Sequence, residues 1–197
     1  MKMESLFKTV LLSSGLSLLL VGCGQTQETP EPQGLTEAER QESVYVEQVT
    51  CEGPDEELVE HSCEHGTYGP FVAVSAAAPG STPLPNVNLA HTAYNVTLPK
   101  VGWRFYKGSV TYRPVESTEY AIFLSRFRGL KIYDGTTLVA QECSYVIDQT
   151  ACGSLRRLVT ADLEANKVYR FEFDAYSASD AAFTLLVEEA AHEHEEE

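Results

Sequence analysis

Apolar and polar residues alternate with a period of two through much of the chain. In KVYRFEFDA, Tyr169, Phe171 and Phe173 share one face, and Arg170, Glu172 and Asp174 share the other. That pattern predicts a half-buried strand. HTAYNVTLP places Tyr94, Val96 and Leu98 inward, GSVTYRP places Val110 and Tyr112 inward, and EYAIFLS places Tyr120, Ile122 and Leu124 inward. LKIYDGTTLVA reads as two short strands joined at Asp134-Gly135, where glycine tolerates a positive φ. FVAVSAA, from Phe71, opens the set and FTLLVEE closes it. Short, evenly spaced strands with turns between them predict an all-β fold, an antiparallel β-sandwich over residues 46–189.

The ends of the chain break this pattern. MKMESLFKTVLLSSGLSLLLVGCG begins with Lys2 and Lys8, continues with an apolar run from Val10 to Val21, and ends in Gly22-Cys23. This is the three-part layout of a secretory signal, too short for a stable spanning helix. Leu20-Val21-Gly22-Cys23 resembles the bacterial lipobox. The resemblance implies removal of residues 1–22 and lipidation of Cys23, including a palmitate-type acyl chain. Several acyl chains, at about 0.8 kcal/mol per buried methylene, would hold the protein on a membrane. Gly24 rather than Asp after Cys23 resembles the outer-membrane sorting signal of enteric bacteria, so the expected place is the bacterial cell envelope, at the outer membrane. Residues 23–45 are rich in Gln, Glu, Pro and Thr and are expected to form a disordered, lipid-anchored linker. Residues 190–197 form an acidic tail containing His192 and His194.

An exported chain changes the meaning of the cysteines. Beyond Cys23 there are four: Cys51, Cys63, Cys143 and Cys152. An even number in an oxidising compartment favours disulfides. Three pairings exist. The local one, Cys51 with Cys63 and Cys143 with Cys152, is the expected one, because each pair is close in sequence and brackets polar, turn-like residues. The formal net charge is −15 over 197 residues. Such acidity argues against nucleic-acid binding and against electrostatic adhesion to anionic lipid.

The order GSVTYRPVESTEYAIFLS, LKIYDGTTLV, ADLEANKVYRFEFDA and AFTLLVE resembles the jelly-roll sandwich of bacterial pre-peptidase C-terminal domains. Val110, Tyr120, Tyr133, Asp134, Gly135 and Tyr169 occupy matching places. Where that family usually has Gly before the penultimate strand, this chain has Asn166, which also tolerates a left-handed backbone. The match spans roughly the C-terminal half and leaves Cys51 to Leu98 outside. It implies a non-catalytic accessory module of an exported protein, with a jelly-roll-like topology.

Outside that match lies the most chemically loaded stretch, HSCEHG. As a helix, PDEELVEHSCEHG has Pro54 at a permitted start and Gly66 as a stop, and His61 and His65 share a face at i, i+4 with Glu57 and Glu64 nearby. As a strand, His61, Cys63 and His65 share a face instead. Either geometry presents two imidazoles to one ion, and His91, at the start of a later strand, is a candidate third ligand. Neutral imidazoles suit zinc, copper or nickel. The alternative is a disulfide at Cys63 with solvated histidines. His192 and His194 offer only loose, unspecific cation capture.

No G-x-S-x-G, H-E-x-x-H, P-loop or dinucleotide fingerprint is present. The expectation is therefore a non-enzymatic, envelope-anchored binding module carrying a zinc or copper ion. The competing expectation is a metal-free sandwich that binds an envelope protein or glycan.

Overall fold

The computed structural model describes Cys51, residues 53–127 and residues 129–190. All of these lie in one compact unit, within Glu47–Glu197. The signal, Cys23, the linker and the tail histidines His192 and His194 lie outside the described residues.

Among the described residues the fold is predominantly β, two packed sheets with one helix. Helix α1 spans Glu56–Tyr68. The strands are β1 (Phe71–Ser75), β2 (Ala93–Thr97), β3 (Lys100–Val101), β4 (Phe105–Tyr112), β5 (Thr118–Leu124) and β6 (Leu130–Asp134), followed by β7 (Thr137–Leu138), β8 (Ser144–Val146), β9 (Arg157–Leu163), β10 (Tyr169–Ala175) and β11 (Ala182–Glu189). The larger sheet runs β1-β2-β11-β5-β9-β8 and the smaller β3-β4-β10-β6-β7. The alternating residues meet between them: Tyr94, Val96, Val110, Tyr112, Ile122, Leu124, Phe171 and Phe173 all belong to one buried cluster. The β6–β7 hairpin turns at Gly135, with φ of 59°.

In the smaller sheet β10 alternates as expected, whereas β4 is buried at three consecutive residues, Gly108 to Val110, where residues 76–92 cross it. Strand β10 is buried at every second residue, from Tyr169 to Ala175. The larger sheet does not alternate. In β5, Ala121 and Phe123 are as buried as Tyr120 and Ile122. A second apolar cluster covers its outer face, where Leu58 and Val59 of α1 meet Phe123, Ile147, Leu155, Leu158 and Leu186. A sheet buried on both faces loses its period of two. This is why β9, buried at four consecutive positions from Leu158 to Ala161, escapes an alternation test.

Three expectations need correction. First, the sandwich is not wholly antiparallel, because β1 pairs with β2 in parallel. Residues 76–92 leave the larger sheet, touch β4 at Ala77↔Ser109 and Asn86↔Thr111, and return to the start of β1. A parallel pair requires a long crossover of this kind. Second, the disulfides join Cys51 to Cys143 and Cys63 to Cys152, with Cα–Cα distances of 5.7 and 5.6 Å. Local pairing fails because Cys63 lies about two helical turns, roughly 10 Å, into α1. Cys143 and Cys152 likewise flank opposite ends of β8. Third, Gly66 does not stop the helix. A Cβ there would lie 2.9 Å from Ser154 Oγ and 3.0 Å from Leu155 Cγ, so Gly66 is the point where α1 presses closest to the loop beneath it.

Candidate metal centre

The local sequence makes α1 a helix with firm ends. The Asp55 carboxylate accepts hydrogen bonds from the backbone N–H groups of Glu57 and Leu58 at 2.8 and 3.1 Å, and Glu56 and Glu57 fill the acidic first turn. Both features satisfy the orphan donors and the dipole at a helix start. Gly69 ends the helix at φ of 84°, and its N–H donates to the His65 carbonyl. Leu58, Val59, Ser62 and Gly66 form the buried stripe. That stripe pins α1 on the outer face of the larger sheet and turns His61 and His65, one helical turn apart, towards β11.

Two other segments complete the group. His91 sits in the turn before β2 with φ of 49°, a left-handed conformation that costs a non-glycine residue about 1 kcal/mol or more. Glu188 comes from β11, where Leu185 and Val187 point between the sheets. Leu186 and Glu188 point the other way, under α1. Neither Glu57 nor Glu64 supplies the carboxylate: it is Glu188, 3% exposed.

One ligand atom from each of His61, His65, His91 and Glu188 lies within 4.8 Å of every other. His61 Nε2 is 3.2 Å from His65 Nε2 and 3.2 Å from His91 Nδ1. His91 Nδ1 is in turn 3.0 Å from Glu188 Oε2. Four ligands held about 2.0–2.1 Å from a zinc ion at tetrahedral angles lie about 3.3 Å apart. The contacts therefore match the edges of a first coordination sphere.

With Glu188 ionised, hydrogen bonding alone accounts poorly for this arrangement. His65 Nδ1 lies 3.2 Å from the Gly69 carbonyl, which only accepts, so Nδ1 carries the proton and the neutral ring leaves Nε2 bare. His61 Nε2 must then donate to His65. An ionised Glu188 likewise requires a proton on His91 Nδ1. The His61–His91 contact then sets one N–H against another. In the empty site a proton on Glu188, donated to His91 Nδ1, removes the conflict; with the carboxylate ionised, a cation removes it by taking every lone pair at once. The Gly69 carbonyl is the outer partner that holds a ligating imidazole in the right tautomer. Glu188 Oε1 is buried with no hydrogen-bond partner, an orphan that a metal ion would also satisfy.

Burial pushes the Glu188 carboxyl up to about 7, with His65 pulling it down and Glu189 pushing it further up. An unliganded site is thus a poor home for the carboxylate, and a bound cation would reverse that balance. Three imidazoles and one carboxylate make a ligand set that could hold a metal ion.

Sequence reasoning brought His61, His65 and His91 together and missed Glu188. The available signal was parity: Glu188 shares a face with Leu186 in a strand apolar on both sides. Cys63 takes no part, because its sulfur is bonded to Cys152. Among the described residues no helix is long and apolar enough to cross a membrane.

No protein-family model matches the chain, and no curated sequence matches it. Among solved structures, β-glucosidase from Kluyveromyces marxianus in complex with glucose aligns with a TM-score of 0.34 at 20% identity, covering 51% of this chain and 13% of that one. The selenomethionine-labelled form of the same enzyme aligns with a TM-score of 0.33 at 21% identity, covering 46% and 11%. The chain thus corresponds to a small part of that enzyme's length, and a likeness this low assigns neither fold nor activity.

Proposed function

We propose that this protein is a non-catalytic, lipid-anchored module of the bacterial cell envelope that binds one zinc or copper ion through His61, His65, His91 and Glu188. The observation that carries the reading is the convergence of four ligand atoms within 4.8 Å from three segments distant in sequence. Four protein ligands fill a tetrahedral shell, whereas a hydrolytic zinc centre keeps a position for water. This favours holding the ion over activating a substrate. The lipobox at Leu20–Cys23 supports the anchor, and Gly24 supports the outer membrane. The order of the C-terminal strands supports a jelly-roll-like accessory domain of the pre-peptidase type.

The test is isothermal titration calorimetry of tag-free, metal-stripped protein with zinc and with copper. Wild type should bind about one ion. Truncation after Glu189 removes His192 and His194 and should leave that ion in place. His61→Ala with His65→Ala should lose it, since one imidazole and one carboxylate make a poor chelate. If the truncation alone abolishes binding, the reading fails.

A further inference from the structure

A second site lies at the other end of β11. From Glu188 back to Ala182 the strand covers about 20 Å. Two adjoining cavities open there, of about 390 and 340 Å³, sharing Arg126, Phe127 and Asp180 in their walls. We infer that this cleft binds a neutral carbohydrate.

The cleft is pre-formed. The Arg126 guanidinium donates to the carbonyls of Asp174 and Asp180 at 3.1 and 2.9 Å and to that of Gly129 at 3.2 Å. Those bonds tie the loop after β5 to the loop after β10. The guanidinium also lies 3.8 Å from the Phe183 ring centroid, so it is wedged from below. Arg126 is therefore a positioning residue, and it holds the two walls at a fixed spacing.

Those walls carry exposed aromatic faces. Tyr176 is 73% exposed and Phe127 is 46% exposed, although burial of either ring would be favourable. Phe105 meets Tyr176 edge-on with centroids 5.3 Å apart, which fixes the tyrosine ring as a platform.

Charge selects the ligand. Among the described residues around the two cavities, Arg126 and Arg156 are matched by Asp174 and Asp180, so their formal charges cancel. In a chain of net charge −15, this local balance disfavours both a strong cation and a strong anion. Asp180 uses Oδ2 to accept from Ser177 Oγ at 2.8 Å. Carboxylate acceptors beside an exposed ring suit a ligand with an apolar face and a rim of hydroxyl groups. A neutral sugar ring has both.

The probes are neutral hexasaccharides of glucose and of N-acetylglucosamine, in α- and β-linked series, followed by saturation-transfer NMR in the presence of EDTA. At least one should bind to wild type, without metal. Tyr176→Ala and Asp180→Ala should each weaken it about tenfold, leaving the zinc titration unchanged; Asp180→Ala should also lower the melting temperature, because its carboxylate accepts from Ser177 and faces the buried Arg126, so circular dichroism is read to show that the variant is folded. Failure of every probe would overturn the assignment, as would equal binding by both variants. Concentration-dependent dimerisation on size exclusion that Tyr176→Ala abolishes would give the face to a second copy of the chain and also overturn it. None of these outcomes depends on the metal centre.

Discussion

Glu188 Oε2 lies 3.0 Å from His91 Nδ1, although the two residues come from the last strand and from the turn before the second. The contact pairs a carboxylate buried under α1 with a ring that is 54% exposed. One half of the site is therefore desolvated and the other reaches solvent, which gives an ion a way in and a firm seat.

Glu188 sets opposite requirements for the empty and loaded states. Its folded pKa rises from 4.5 to about 7, so its contribution to stability is present below 4.5 and lost as pH climbs through 7. In EDTA, Glu188→Gln should match wild type near pH 4.5. Above pH 7 it should be more stable by up to about 3 kcal/mol. With zinc the order reverses, because the amide is a weaker ligand, and affinity should fall by about tenfold or more. Thermal denaturation at pH 4.5 and 8, with and without zinc, reads both effects. A variant that loses stability in EDTA at pH 8 would count against the buried-charge argument.

The disulfides close loops of 92 and 89 residues. On the loop-entropy argument each stabilises by about 4–5 kcal/mol. Peptide mapping without reductant should recover Cys51 joined to Cys143 and Cys63 joined to Cys152. Replacing Cys63 and Cys152 together by Ser should lower the melting temperature and weaken zinc binding, since α1 then loses one of its attachments to the sheet. Unchanged zinc affinity in the folded double variant would separate the bridge from the site.

Gly66→Ala tests whether the position of the helix matters. Alanine improves helix propensity by about 1 kcal/mol, but its Cβ meets Ser154 and Leu155 at about 3 Å. Overpacking of this kind costs about 1–3 kcal/mol. The expected result is a net loss of stability in chemical denaturation together with weaker metal binding. Gly53→Ala, where a Cβ meets nothing within 4 Å, is the control and should change neither.

Cys23→Ser should abolish incorporation of radioactive palmitate in the producing bacterium, while circular dichroism of the purified domain stays as in wild type. Undiminished label in the variant would remove the lipid anchor from the proposal.

Part of the smaller sheet was legible in the sequence because β10, at its centre, keeps one wetter face. Tyr169, Phe171 and Phe173 alternate with charged residues for that reason alone, and Asp134-Gly135 marks the hairpin because its backbone chemistry is local. The helix was legible as one of two readings, with Pro54 at its start, whereas the cap at Asp55 and the acidic first turn came from the structure. That helical reading placed His61 and His65 on one face whatever the rest of the chain did.

Contacts between distant segments were decided only in three dimensions. Burial on both faces of the larger sheet erased the alternation in β9. The crossover of residues 76–92 made β1 parallel to β2. Packing of Gly66 against Leu155 carried the helix past its expected stop and brought Cys63 to Cys152 rather than to Cys51. Glu188 became a candidate ligand by the same step. Parity with Leu186 is the one local feature that separates it from Glu189, and only the docking of α1 over β11 made that face the one that meets the histidines.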